Sequence, residues 1–365
     1  FPVPFFLDIL TNLQVGPLHK ATIEKHGKDW TKPGNIVGNG AYVMTEWTPN
    51  SKVVLTKSPN YWDADNVKIE KVTYTAVEGQ DAELKMWESG EIDATHELPA
   101  GQYKRLAQQY PKETLLADNL GIRYYSLNNK DPLFKDVRMR KALNMVIDRD
   151  VMAEKVTADD QKPIYSIVTR GVSGADTAQP DWVQWPMEKR VEEAKKLMAE
   201  AGVKPGTKMK FAYNTSEYHK KMAIFAQSEW KTKLGLETEM EAMEFKVLIK
   251  KREDMDYQIA RNGWLADYND ASTFLTLLEC NSAQNYHGYC NKEAQKLIDE
   301  GNQSTDPARR KELLSQANKL MMEDYPVIPL LQYTRTRMVK SWVQGFSSDN
   351  VMDRYRTKDL SLAAH

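Results

Sequence analysis

Cysteine is almost absent: the 365 residues contain only Cys280 and Cys290. A disulfide framework therefore cannot hold the fold, and apolar cores must; a chain this long exceeds one core and predicts two or more globular units. Long hydrophobic runs are missing too, none approaching the roughly 20 residues that cross a bilayer. The opening stretch, FPVPFFLDIL, lacks the basic head and small-residue cleavage site of a signal peptide. The chain reads as soluble, with any export signal removed or lying upstream. Neither charge sign dominates: 50 basic and 51 acidic residues give a formal net charge of -1, which removes the electrostatic case for nucleic acid or an anionic membrane surface.

Catalytic signatures are also lacking. Gly38-Asn39-Gly40 is followed at position 43 by Val, not Gly, so it is no dinucleotide fingerprint, and there is no P-loop. Gly171-Val172-Ser173-Gly174-Ala175 misses the last glycine of a nucleophile elbow. The six histidines are scattered with no H-E-x-x-H. Cys280 and Cys290 sit in CNSAQNYHGYC, a loop-like interval. A disulfide in an oxidising compartment, two separate thiols, or an irregular zinc set completed by His287 are the readings this leaves, the disulfide first.

What is present is α/β patterning. Residues 34 to 77 alternate between turn signals and predict a β meander, 79 to 90 a helix stopped by Gly90, and EIDATHEL a short strand. IRYYSLN reads as a strand and DVRMRKALNMVIDRDVMAEKV as one helical run. After a turn-rich linker, Pro186 opens an amphipathic helix. Residues 208 to 214, a helix capped by Ser216, and 236 to 242 then make a strand-helix-strand unit of the kind that builds parallel sheets. A short helix in FKVLIKKRED, the strand YQIARNGW, two further helices and the strand VIPLLQYTR complete the pattern.

One motif raises a binding question. GWLADYND, residues 263 to 270, places acids beside a tryptophan at a strand end. Asp267 follows the strand that contains Arg261; Arg252 closes the preceding helix, and His219 lies in the first turn after Ser216. Ligands of such sheets gather beyond strand ends and at helix N-termini. An acid for a cation and basic groups for an anion suit a zwitterion. On the residues alone, each has a second reading: Asp267 as a turn former, Arg252 as part of a solvated face, Arg261 as half of a structural pair and His219 as an exposed helical residue.

Several stretches together resemble the bacterial oligopeptide-binding proteins, the periplasmic receptors of peptide-importing ABC transporters: PGNIVGNGAYVMTEW, SPNYWD, SGEID, NNKDPLFKDVRMRKALNMVIDRD, EKRVEEAKKLMAEAG, YNTSEYHKKMAI, GWLADYND and MVKSWVQG. The resemblance runs along essentially the whole chain. It implies an α/β, two-lobed periplasmic-binding-protein-like fold with a hinge and mixed sheets flanked by helices. Residues 1–118 would be part of the first lobe, 119–335 the second, and 336–365 the return to the first. Family members begin well upstream of Phe1, so the N-terminal part of the first lobe is expected elsewhere.

By the same resemblance, Asp267 pairs with a peptide's α-ammonium. Gly263, Trp264 and Leu265 bond its main chain as an added strand. Arg252, Arg261 and His219 meet its C-terminus, and Tyr124, Phe245 and Tyr333 line side-chain pockets. The implied protein is a monomeric, non-enzymatic receptor without cofactor or metal that closes on a short peptide and docks on a membrane permease. A receptor for a murein tripeptide, dipeptide, haem or metal chelate is the alternative within the family, which His96 and the altered pockets leave open; a hydrolase or chaperone-like module is the alternative outside it. Three departures stand out. Gly121 and Leu265 occupy positions where close relatives carry cysteine, Phe245 stands where tryptophan is common, and Arg335 beside Tyr333 is expected to favour a more acidic ligand.

Overall fold

The computed structural model describes residues 3–99 and 101–364. The chain separates into two compact units. The larger holds the chain up to Asn12 and Asn119–Thr334; the smaller holds Leu13–Asp118 and the chain from Arg335 onward.

In the smaller unit, strands β1 (Tyr42–Thr48), β2 (Lys52–Lys57) and β3 (Lys71–Thr75) form an antiparallel meander. The TPNS turn between the first two is made by Asn50, whose φ of 58° is the left-handed geometry asparagine tolerates. Helix Gln80–Ser89 buries Leu84 and Trp87 and stops at Gly90, again left-handed with φ 81°. Leu98, Leu106 and Met338 complete that core. The strand expected at EIDATHEL does not form. Only Ala94 bridges, to Val339, and the next main-chain donors, Thr95 and Leu98, reach Met338 and Thr336 at 2.9 and 3.1 Å. Bonds three residues apart cannot continue a ladder whose period is two. Val343–Gln344 and Ser361–Leu362 make a separate two-stranded ribbon.

The larger unit is built on a six-stranded mixed sheet. Its strands are β4 (Thr114–Leu127), β5 (Lys162–Pro163), β6 (Lys208–Asn214), β7 (Glu237–Met243), β8 (Ile259–Leu265) and β9 (Val327–Met338), in the order β5-β9-β4-β8-β6-β7. The strand-helix-strand reading holds: β6 and β7 are parallel, with helix Glu217–Leu234 between them in the chain, and β8 is parallel to β6. Ser216 occupies the cap position of that helix, but its hydroxyl makes no capping bond. Tyr125, Phe211 and Trp230 pack against one another in the core. The Tyr125 hydroxyl donates to the Met222 carbonyl at 3.0 Å, and Trp230 Nε1 to that of Leu143 at 3.2 Å, so both aromatics are buried with their polar tips satisfied.

The single helix expected over DVRMRKALNMVIDRDVMAEKV is interrupted. Helix Val137–Val146 stops, and Asp148 caps a new turn through a 3.0 Å bond from the Val151 N–H. The fully buried Arg149 explains the break. It donates to the carbonyls of Asn144 and Ile147, groups that an uninterrupted helix would engage itself, and to that of Pro329 in β9. Cys280 and Cys290 are joined as a disulfide with their Cα atoms 4.5 Å apart, so neither separate thiols nor the zinc set is what this loop holds.

Candidate functional site

The register between β4 and β8 decides which of the predicted residues meet. The strands are antiparallel, with Gly121 opposite Leu265, Arg123 opposite Gly263, Tyr124 opposite Asn262 and Tyr125 opposite Arg261. Because side chains alternate, directly opposed residues share a face and neighbours do not. Arg123, Arg261, Gly263 and Leu265 therefore belong to one face; Tyr124, Asn262 and Trp264 belong to the other.

On the first face the backbone is bare at two points. A Cβ on Gly263 would lie 2.9 Å from the Tyr333 hydroxyl and 3.9 Å from Arg261 Nη2, and one on Gly121 would lie 2.5 Å from Leu265 and 2.8 Å from the Tyr333 ring. Glycine at 263 leaves room for the phenol and the guanidinium to approach the strand; Leu265 and Tyr333 already fill the space beside Gly121. The Tyr333 ring also carries the Arg123 guanidinium, 4.1 Å from its centroid, and the opposite side of that guanidinium rests on Tyr218 at 4.4 Å. Arg123 Nε donates to Gln161 Oε1 at 3.0 Å.

Neither guanidinium has a carboxylate partner. Among the described residues the Arg261 side chain makes no hydrogen bond or ion pair, and the Arg123 side chain makes only the hydrogen bond to Gln161. Burial, opposed by Tyr333 but aided by the like charges of Arg123 and Arg252, pulls the Arg261 pKa down to about 10. It remains cationic at neutral pH. His219 follows Tyr218 at the start of helix Glu217–Leu234; burial first, then Arg261 and Arg123, lower its pKa to about 3. It is neutral at physiological pH, a donor and acceptor rather than a third cation. Two guanidiniums without a carboxylate partner beside a neutral imidazole are chemically able to accept an anion.

The structure puts Arg252 and Tyr124 elsewhere. Arg252, at the end of helix Phe245–Glu253, donates through Nη1 to Asn262 Oδ1; Asn262 in turn donates to Ser126 Oγ at 3.0 Å and accepts from the Gly263 N–H at 2.9 Å. Tyr124 is 1% exposed and packs edge-on against His287, which is fully buried with no hydrogen-bond partner on either ring nitrogen. Burial pushes the Tyr124 phenol up and, with Arg252 adding, pulls His287 down to about 3. This face is a buried polar network, separated from Arg261 by the sheet itself.

Beyond β8, the two acids of GWLADYND have different surroundings. Asp270 is buried and holds Arg310 through two bonds of 2.7 and 2.8 Å, while also accepting from the Ser272 N–H at 2.9 Å. Asp267 is half-buried, and its N–H and the Trp264 indole both donate to Thr273 Oγ1 at 3.2 Å. That hydroxyl, 1% exposed, ties the end of β8 to the start of the following helical turn. Phe245 opens its helix with 45% of its surface exposed, behind a Glu244 cap. Leu265 is exposed as well. Arg335 lies in the smaller unit, within 3.4 Å of Glu97 and 3.2 Å of Asp353; its charge is compensated internally, which removes the reason to assign it to an acidic ligand. His96 is exposed, its N–H donating to Glu83 at 2.5 Å. Among the described residues no three His, Cys, Asp or Glu side chains group to hold a metal ion, and no helix is long and apolar enough to cross a membrane.

Sequence reasoning passed over Arg123 and Asp270. The first had a signal: in IRYYSLN the period of two puts Arg123 on the face of Tyr125 and away from Tyr124. The second had none, since Arg310 is forty residues away.

Residues 1–286 match the family described as bacterial extracellular solute-binding proteins, family 5 Middle. The periplasmic oligopeptide-binding protein OppA of Escherichia coli K12 is 38% identical over 368 residues, a match that covers all of this chain and 68% of that protein. The solved OppA of Burkholderia pseudomallei is 44% identical with a TM-score of 0.82, over 95% of this chain and 69% of the other. Haemophilus influenzae OppA, solved in complex with RPPGFSPFR, is 33% identical with a TM-score of 0.83, over 99% and 72%.

Proposed function

This chain belongs to the family 5 bacterial extracellular solute-binding proteins, whose fold is two-lobed, and from that membership and the geometry of β8 we propose that it is the peptide receptor of an ABC importer. The observation that carries the reading is the half-buried Arg261 guanidinium, without a carboxylate partner among the described residues, on the strand that ends two residues before the half-buried Asp267. A cation half-withdrawn from water with no counter-ion is destabilising in the empty protein. It is offset when an anion such as a peptide C-terminus arrives.

In this reading Asp267 takes the α-ammonium, and the main chain of Gly263, Trp264 and Leu265 takes the ligand's backbone, so that affinity comes from groups common to all peptides. Arg261 and neutral His219 receive the carboxylate, and Tyr333 shapes the floor over Gly263. Phe245 is exposed enough to meet a ligand side chain. Arg252 and Tyr124 support β8 from behind. The two compact units serve as the lobes, the receptor works in the periplasm as a monomer, and it delivers its ligand to a membrane permease. It performs no chemistry on that ligand.

The test is equilibrium binding of free and N-acetylated tripeptides. Asp267→Asn is expected to weaken the free peptide about tenfold or more and the acetylated one far less. Equal losses for both remove Asp267 from the ammonium site. Incubation with a mixed peptide library separates receptor from hydrolase, since retention of intact peptides supports the first and turnover the second.

A further inference from the structure

Arg123 has a role that the C-terminal carboxylate does not use up. Both flat sides of its guanidinium are covered, by Tyr218 at 4.4 Å and Tyr333 at 4.1 Å, and its Nε is occupied by Gln161. Gln161 is itself locked, its amide donating to the Tyr218 hydroxyl at 2.9 Å. After burial, and against Arg123, the nearby Asp159 carboxylate adds to raising the Tyr218 phenol pKa, and no ion pair joins Arg123 to a carboxylate among the described residues. What remains is the pair of terminal nitrogens, held in one plane and direction. Stacking fixes the guanidinium without neutralising it.

This fork stands opposite Gly263, one step along the same face from Arg261. The two arginines repel each other across a glycine, and no carboxylate among the described residues forms an ion pair with either. One carboxylate offsets one charge. We propose that Arg123 is a specificity-determining residue that receives a second carboxylate, so that this receptor prefers peptides with an acidic side chain at or next to the C-terminus. The inference rests on the peptide-receptor reading, and it extends it: Arg261 answers the terminal carboxylate present in every peptide, whereas Arg123 answers one that only some peptides carry. Planar, bidentate pairing is what an arginine pre-oriented by stacking does better than a lysine.

The competing arrangement, a single terminal carboxylate bridging both forks, makes a different statement about ligands. Titration calorimetry with Ala-Ala-Glu, Ala-Ala-Gln and Ala-Ala-Ala at low ionic strength distinguishes them. Glutamine keeps the size and hydrogen-bonding capacity of glutamate and removes only the charge. The wild-type protein is expected to bind Ala-Ala-Glu about tenfold more tightly than Ala-Ala-Gln. In Arg123→Gln that ratio is expected to fall to about one, whatever happens to absolute affinity, and in Arg123→Lys to stay above one. A wild-type ratio of one overturns the proposal without any variant, and so does an undiminished ratio in a folded Arg123→Gln protein. If none of the three peptides binds, the receptor reading fails and takes this inference with it; if all three bind without rank order, only this inference fails.

Discussion

Arg310 is buried and Arg261 half-buried within the larger unit, and their surroundings are opposite. Arg310 meets a buried carboxylate in a two-bond fork with Asp270, and Gly174 is the residue that lets them close: a Cβ there would sit 2.6 Å from Arg310 Nη1 and 2.9 Å from Asp270 Oδ2. Arg261 lies beside a second guanidinium and a neutral imidazole and meets no acid. The first arrangement satisfies itself and serves the fold. The second has no carboxylate partner among the described residues, which is why we assign it to a ligand and the first to the fold.

Breaking the structural side should give the largest effect. Arg310→Ala leaves Asp270 buried and unpaired, and the unfolding free energy from a urea titration is expected to drop by about 3–5 kcal/mol; a drop under about 1 kcal/mol would mean the pair is not buried in solution. Next is the Cys280–Cys290 link, which closes a short loop away from β8 in sequence. The double serine variant is expected to lose about 2–3 kcal/mol on the chain-entropy account, with unchanged peptide affinity by calorimetry.

Acid sharpens the comparison further. His287 is fully buried with its pKa lowered to about 3, so between its unfolded value near 6.5 and that folded value the unfolded chain binds the extra proton. Stability should therefore fall as pH falls, by about 2 kcal/mol from pH 7 to pH 5 for this one group. His287→Leu should remove that part of the slope. An identical slope in the variant would show that the imidazole takes up its proton in the folded protein as well.

Much of this was legible in the chain, and the losses have a common cause. Local alternation and helix punctuation located the β1–β3 meander, the β6–helix–β7 unit and the GWLADYND strand end, because those signals are carried by neighbouring residues. What was missed depends on partners far apart in sequence. Arg335 looks like a free cation until Glu97 and Asp353 are seen beside it. Arg252 and Arg261, nine residues apart, look like one basic cluster until the register of β4 against β8 puts them on opposite faces. Asp267 and Asp270 look interchangeable until Arg310 selects one of them. A charge's role is set by what surrounds it, and the residue type alone does not carry that.

The most direct measurement is Arg261→Gln, read for stability and for tripeptide affinity in the same preparation. An arginine kept for a ligand and repelled by its neighbour should lose affinity about tenfold or more while the unfolding free energy of the empty protein stays level or rises. Affinity retained with stability lost would contradict the account, since it would make Arg261 a structural residue like Arg310.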